Sequence, residues 1–205
     1  MSEELERLWG RVLNWCAVNA PETAARIRPS AGPEAIHQAE ATTGHSWPPE
    51  LKEWFSLHDG DGAQGESTAL LPNYGPLSLD DATQIWESFA ELMAEQYEAS
   101  YFDPDARSIQ QGEGEPAGRE AMMFLPSFIP IGGADPYYLF VDVRPGEQSG
   151  CVTAWDHTAA DQHGPIWPSL TAMVADLAAA LEGGTECNGY LPGVHQGRLG
   201  WYLEP

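Results

Sequence analysis

The sequence predicts a single α+β domain in which helices flank a mainly antiparallel central sheet. Three observations lead to this prediction. Before residue 100, apolar residues recur at the three-to-four-residue spacing of amphipathic helices. After residue 122, short runs of β-branched and aromatic residues alternate with turn residues, which is typical of strands. No internal repeat or linker divides the chain, so residues 1–205 are expected to form one domain.

The first two helices are predicted over residues 2–19 and 33–44. In the first of them, six residues form one apolar stripe at helical spacing: Leu5, Leu8, Trp9, Val12, Trp15 and Cys16. In the second, which begins at a proline, Ile36 and Ala39 follow in the same periodic order. Each helix therefore has one face that can pack against a core.

The third helix is predicted over residues 49–58, because both of its ends are marked in the sequence. Pro48 and Pro49 suit a helix start, where a missing N–H group costs nothing. Gly60 can adopt the left-handed conformation that ends a helix. His58 is expected on the apolar face of this helix.

A short strand at residues 68–71 and a long helix at residues 79–99 are predicted next. Either Ser78 or Asp80 can cap the start of the long helix. The acidic, Gly-rich stretch at residues 103–120 is predicted to be a mobile or disordered surface insert.

The second half of the chain is predicted to hold the sheet and a closing helix. Residues 137–143 form the most strand-like run, and residues 151–155 return antiparallel to it after a turn. A helix follows at residues 168–181. The C-terminal extension at residues 184–205 can add an edge strand to the sheet.

Two motifs occur in order, Ile-x3-Glu-x3-Gly at residues 36–44 and Pro-x2-Leu-x2-Trp-x3-His-Asp-Gly at residues 48–60. They are followed by the runs at residues 128–132, 139–142 and 150–152 and by the helix with Ser169, Leu170, Met173 and Leu177. With this order the chain resembles the SUKH superfamily, known from yeast cell-wall-assembly regulators and from bacterial immunity proteins. The resemblance covers roughly residues 5–183 and implies the α+β fold of that family.

The resemblance also implies a function, that of a protein-binding module. Within it, we expect a bacterial immunity protein that neutralises a toxin. The alternative within the same class is a regulatory scaffold similar to the yeast proteins. An alternative from another class is a small hydrolase with a site that the sequence does not reveal.

The charge of the chain limits its partners. There are 31 Asp and Glu residues against 9 Lys and Arg residues, and residues 53–106 contain twelve acids and no Lys or Arg. Such a field repels phosphates, so direct nucleic-acid binding and binding to anionic membranes are not expected. It attracts a basic protein, for example a nuclease-type toxin domain. The alternative is that the charge serves solubility alone.

The cysteines and the N-terminus favour the cytoplasm. Cys16, Cys151 and Cys187 are odd in number and far apart, which favours reduced thiols. The acidic N-terminus argues against a secretory signal. No apolar run approaches the length of about 18 residues that a membrane-spanning helix needs.

No catalytic, cofactor or metal site is expected. The sequence from His58 to Gly62 lacks the further oxygen ligands of a calcium loop. The set Cys151, His157, His163 and Cys187 lacks a zinc knuckle. The serines lack a nucleophile elbow. We therefore expect that the protein is not an enzyme.

Three acids occupy polar positions that match the family pattern, namely Glu40, Asp59 and Asp142. One interpretation places them on the rim of a partner-binding surface. The other makes them local structural residues: a hydrogen-bonded helix acid, a turn former and a strand-end acid that accepts a backbone N–H group.

The long helix offers a second candidate surface. Its exposed side is predicted to carry Glu87, Glu91, Glu95 and Glu98. Tyr97 and Tyr101, near the acidic insert, are candidate binding hot spots. The aromatic stripe to which they belong, with Trp86, Phe89 and Met93, can alternatively pack in the core.

Overall fold

The computed structural model describes residues 3–61, 70–99, 111–121, 123–134, 137–156 and 164–203, and for residues 93–99 it describes the backbone alone. The helices are α1 Glu3–Asn19, α2 Pro21–Ala24, α3 Pro33–Thr43, α4 Pro49–Leu57, α5 Leu79–Ala99 and α6 Leu170–Gly183. The strands are β1 Gly75–Pro76, β2 Phe128–Ala134, β3 Tyr137–Asp142, β4 Val152–Asp156, β5 Tyr190–His195 and β6 Arg198–Leu203. This arrangement confirms the predicted α+β class.

Local sequence signals determine most helix ends. Proline occupies the first turn of α2, α3 and α4, where its missing N–H group is not needed. Ser169 caps α6, because its hydroxyl oxygen accepts a hydrogen bond from the Ala172 N–H group at 3.1 Å. Gly44 and Gly184 end α3 and α6 in the left-handed conformation, with φ of 69° and 62°.

The end of α4 differs from the prediction. The helix stops at Leu57, and His58 has an extended backbone with φ of −160° and ψ of 160°. Gly60 has a φ of 71°, but it lies in the turn beyond the helix rather than at its last residue. Its carbonyl accepts a hydrogen bond from the Arg28 N–H group at 2.9 Å, so this turn is joined to the segment before α3.

A four-stranded antiparallel sheet has the order β1-β2-β3-β4. Phe128 pairs with Asp142, and Val141 pairs with Val152, so β3 is central between β2 and β4. The predicted strand at residues 68–71 lies partly outside the described residues, and Leu71 forms only an isolated bridge to Tyr74.

The C-terminal extension does not join this sheet as an edge strand, contrary to the prediction. Strands β5 and β6 pair with each other in a separate two-stranded sheet. Gln196 and Gly197 connect them with φ of 51° and 77°, as a tight hairpin turn requires. One face of this hairpin packs against the main core through the side chains of Leu199 and Trp201.

The main core takes buried side chains from α1, α3, α4, α6, the sheet and the hairpin. A second cluster, centred on Phe89, Phe124, Phe128, Phe140 and Trp155, joins α5 to the sheet. Buried residues of these two clusters therefore come from elements between α1 and β6. Among the described residues, no helix has the length and apolarity needed to cross a membrane.

Part of the predicted disordered insert is ordered. Residues 111–114 form a helical turn, and Ala117 is buried. The prediction for residues 103–120 is therefore wrong for residues 111–120, because contacts with Arg144 hold this segment in place. The remainder of the insert lies outside the described residues.

Candidate partner-binding surface

Glu40 holds the connection between α3 and α4. One of its carboxylate oxygens accepts a hydrogen bond from the Trp47 N–H group at 2.9 Å and lies 2.7 Å from the Lys52 ammonium nitrogen. These bonds, the one from Lys52 first, hold the pKa of Glu40 below its usual value. Glu40 is therefore ionised and fixed at neutral pH.

Asp59 joins three segments. One of its oxygens accepts a hydrogen bond from the Leu79 N–H group at 2.8 Å, at the start of α5. The other oxygen lies 2.7 Å from the Arg28 guanidinium. The Asp59 side chain is 18% exposed, so it remains accessible beside these bonds.

Asp142 is buried at the end of β3. Its side chain and that of Arg144 are each 1% exposed, and the two form an ion pair at 2.7 Å. The carboxylate also accepts hydrogen bonds from the Gly118 and Arg144 N–H groups at 2.8 and 3.0 Å. A partner that binds this conformation would not reach Asp142, so its role here is structural.

The three acids share a local structural role, which is one of the two interpretations that the sequence offered. Each carboxylate accepts a backbone N–H group from another segment, and Glu40 and Asp59 are also partly open to solvent. They lie at separate places in the fold and do not form a common site.

An open groove lies between α3 and α5, with a cavity volume of about 430 Å³. One wall comes from the segment leading into α3 and from α3 itself, and the other wall comes from α5. Residues that line it are Ser30, Ala31, Gly32, Ala35, Gln38, Ala39, Thr42, Asp59, Leu79, Asp80 and Thr83. These lining residues include two carboxylates, Asp59 and Asp80, and no Lys or Arg. Arg28 pairs with Asp59 from the edge of the groove, so the charge of Asp80 makes the groove negative.

Next to the groove, α5 carries an acidic face, defined here by Asp80, Glu87 and Glu91. All three are exposed. Glu87 and Glu91 follow Asp80 by seven and eleven residues, so all three lie on one side of the helix. The groove and the acidic face together are the candidate partner-binding surface.

The remaining predicted contact residues cannot be placed on this surface. Glu95, Tyr97 and Glu98 belong to α5, but their side chains lie outside the described residues, as does Tyr101 altogether. The described part of the aromatic stripe packs inward. Phe89 is buried, and the half-buried Trp86 indole donates a hydrogen bond to the Pro126 carbonyl at 2.8 Å.

His58 lies in the interior and not in the groove. Its ring stacks on Trp9 with centroids 4.5 Å apart and meets Trp54 edge-on at 4.2 Å. Its Nδ1 atom accepts a hydrogen bond from the Gly60 N–H group at 3.0 Å, which places the proton of the neutral ring on Nε2. Burial lowers the pKa of His58 to about 3, so the ring is neutral at physiological pH.

All three cysteines lie in the described part of the chain, where they are buried and form no disulfide. Burial raises the pKa of the Cys16 thiol to about 11. Burial, together with the Asp176 carboxylate, also raises that of Cys187. Both thiols are therefore protonated at neutral pH and poor nucleophiles. In the part of the chain that the structure describes, no three His, Cys, Asp or Glu side chains cluster as metal ligands; His157 and His163 lie outside it.

A family model, the SMI1 / KNR4 family (SUKH-1), matches residues 30–176. The chain belongs to this family. The SUKH-1 match runs from the segment before α3 into the first half of α6, so it includes the sheet of β1 to β4, both walls of the groove and the acidic face. It leaves out α1 and the C-terminal hairpin. A search of curated proteins returned no match to the chain.

The groove of this SUKH-1 protein was not predicted from the sequence, because its two walls are distant along the chain. One local signal was available. Ala35 and Ala39 are four residues apart on α3, where a small residue in place of a large one leaves room beside the helix. The acidic face, in contrast, follows from helical periodicity and was partly predicted through Glu87 and Glu91.

Proposed function

We propose that this SUKH-1 protein is a bacterial immunity protein that binds and neutralises a basic toxin domain, with the α3–α5 groove and the acidic face as its contact surface. The observation that carries the proposal is the position of the acidic face beside an open groove. Family membership is consistent with a protein-binding module. The net charge of −22 adds a long-range attraction for a basic partner.

The fixed geometry of the groove supports this proposal. Asp59 ties the start of α5 to Arg28, and Gly60 ties the same turn to the segment before α3. The walls are therefore held in position before a partner arrives. A preorganised surface loses little conformational entropy on binding, which favours tight association.

The charge distribution supports a basic partner in particular. Carboxylates at the edge of an interface chiefly raise the association rate, whereas the groove supplies contact area. A nuclease-type toxin has a basic surface that binds phosphates, and an acidic helix can occupy such a surface. Binding there would block access of nucleic acid to the toxin.

The proposal is tested first by purifying the protein from its native host and identifying the protein that co-purifies. The association rate with that partner is then measured over a range of salt concentrations. We expect this rate to fall steeply between low and physiological salt, with little change in the dissociation rate. A flat salt dependence would leave the charge with a solubility role only.

A pair of matched variants locates the surface. Glu87→Gln with Glu91→Gln removes two charges from the acidic face, and Glu3→Gln with Glu6→Gln removes two exposed charges from α1. Helix α1 packs on α2, α4 and α6 rather than beside the groove. We expect only the first variant to slow association markedly. Equal effects of both variants would contradict the proposed surface.

A further inference from the structure

The two threonine hydroxyls that line the α3–α5 groove present acceptors to a ligand, whereas Ser30 and Gln38, which also line it, can donate as well as accept. The Thr42 hydroxyl donates its proton to the Gln38 carbonyl at 3.0 Å, and the Thr83 hydroxyl donates to the Leu79 carbonyl at 2.7 Å. A hydroxyl has only one proton to donate. Both threonines can therefore only accept a hydrogen bond from a ligand, through the lone pairs of their hydroxyl oxygens.

The two carboxylates of the groove are also acceptors. Asp59 takes one hydrogen bond on each oxygen, from Leu79 and Arg28. One oxygen of Asp80 accepts from the Gln84 side-chain amide at 2.8 Å. An ionised carboxylate has about four lone-pair positions, so both side chains keep capacity for further donors. The ligand that fits such a lining is rich in donors and positively charged.

The shape of the groove selects a long side chain. Its α3 wall carries small apolar residues, Ala31, Gly32, Ala35 and Ala39. A chain of methylene groups can pack on them while a charged end reaches the carboxylates. The cavity of about 430 Å³ has room for one such side chain and the backbone that carries it.

The helix ends at the groove would by themselves attract an anion, because both α3 and α5 begin there. Capping groups offset this effect at the start of α5, whereas α3 has no side-chain cap and carries Glu34 in its first turn. Asp59 accepts the Leu79 N–H group, and the Ser78 hydroxyl oxygen accepts the Asp81 N–H group at 3.0 Å. Carboxylates also occupy the first turn of both helices, at Glu34, Asp80 and Asp81. The local field therefore favours a cation.

We infer that the groove receives an arginine side chain of the protein partner, with its stem on Ala35 and Ala39 and its guanidinium on Asp80. Arg28 shows that a guanidinium fits here, because it already lies 2.7 Å from Asp59 at the edge of this groove. Its presence also makes Asp80 the main acceptor, since a second cation on Asp59 would be repelled by Arg28. Five donors in a planar fork match the acceptor-rich lining better than an ammonium does. The inference rests on the proposed function.

The test uses N-acetyl-arginine amide as the probe and N-acetyl-citrulline amide as the neutral control of nearly equal shape. Backbone amide signals of the full-length protein are followed by NMR during titration. We expect saturable shifts centred on Gly32, Ala35 and Thr83 with the arginine probe, and at least tenfold weaker binding of citrulline. Equal binding of both probes, or shifts located elsewhere, would overturn the inference. Shifts of these groove amides with inorganic phosphate in place of the arginine probe would also overturn it.

Two variants sharpen the test. Ala35→Leu fills the groove, whereas Ala41→Leu makes the same change at another exposed position of α3. We expect only Ala35→Leu to abolish the response to arginine. Asp80→Asn keeps the size of the side chain and should weaken binding of the probe several-fold. Full binding to both Ala35→Leu and Asp80→Asn would contradict the assigned position.

The same variants separate this inference from the proposed function. If a basic partner binds with salt-dependent association and Ala35→Leu has no effect on it, the proposed function stands and the arginine site is wrong. If the arginine probe binds the groove but the co-purified partner is not basic, the groove chemistry stands and the toxin proposal is wrong.

Discussion

Arg144 and Asp142 form an ion pair from which water is almost completely excluded, since each side chain is 1% exposed. The Arg144 guanidinium also donates hydrogen bonds to the carbonyls of Gly112 and Arg119, at 2.8 and 2.6 Å, and lies over the Phe128 ring. The pair therefore fastens the ordered part of the insert to the end of β3.

Replacing Arg144 by Met should destabilise the protein strongly. The Asp142 carboxylate would stay buried without its counter-charge, and removal of one partner of such a pair typically costs about 3–5 kcal/mol. Urea denaturation measures the loss in free energy of unfolding. Hydrogen exchange of residues 111–121 should accelerate as well, because the variant loses the guanidinium that donates hydrogen bonds to carbonyls of this segment.

Arg11→Met is the matched control. Arg11 pairs with Glu182 at 2.9 Å through one of its nitrogens, but both side chains are exposed to solvent. Exposed ion pairs contribute little to stability, so the change in unfolding should be small. A loss for Arg144→Met no larger than for Arg11→Met would contradict a structural role for the buried pair.

Gly60→Ala should destabilise the protein more than Gly44→Ala. Both glycines are left-handed, with φ of 71° and 69°, and a side chain costs about 1 kcal/mol in that conformation. Of these two glycines, only Gly60 would bring the added carbon atom into overlap with backbone, at the Ser78 nitrogen, whereas Gly44 has nothing within 4 Å. Relieving this overlap should add at least about 2 kcal/mol. Thermal or urea unfolding compares the two, and equal losses would contradict the close approach.

Stability should depend on the protonation of His58. Its folded pKa of about 3 lies below the unfolded value of about 6.5, so between these values the unfolded state binds more protons. Stability is therefore fully present above about pH 6.5 and decreases as the pH falls toward 3. At pH 5 the loss from this one group should be about 2 kcal/mol relative to neutral pH. Urea denaturation at several pH values measures it.

His58→Asn provides the comparison, because an asparagine oxygen can accept the Gly60 N–H group without titrating. This variant should be less stable at neutral pH but lose less stability between pH 7 and 5. His195→Asn, at an exposed position of β5, should keep the pH dependence of the wild type. An unchanged slope for His58→Asn would show that other groups cause the acid sensitivity.

The purified protein is expected to carry no stoichiometric zinc or calcium, and EDTA should leave its melting temperature unchanged. The reason is that the ligand spacings in the sequence do not suit either ion. Elemental analysis and thermal unfolding test this. A fall of many degrees in the presence of EDTA would contradict the prediction.

Elements with local signals could be predicted from the sequence. The Ser78 cap of α5 is one example: its hydroxyl oxygen accepts the Asp81 N–H group three residues later. Helix α4 begins after Pro48 as predicted, since proline determines the start without reference to the rest of the fold.

Contacts between distant segments could not be predicted in this way. Asp59 bonds to Leu79, twenty residues away, and Asp142 bonds to Gly118, twenty-four residues away. The resemblance to the family pattern singled out these acids, but it did not show which segment each of them would hold. The groove depends on the packing of α3 against α5. No single stretch of sequence determines how far apart these two helices lie.

The SUKH-1 match ends inside the folded body rather than at its surface. Leu8 and Trp9 of α1, before the match, and Leu199 and Trp201 of the hairpin, after it, all lie in the same core as the matched segments. A fragment cut at residues 30 and 176 would expose apolar surface and lack half of α6. The unit that can be produced and studied independently is therefore larger than the unit that is recognisable by family, and domain-swap or fusion experiments should carry both flanking segments.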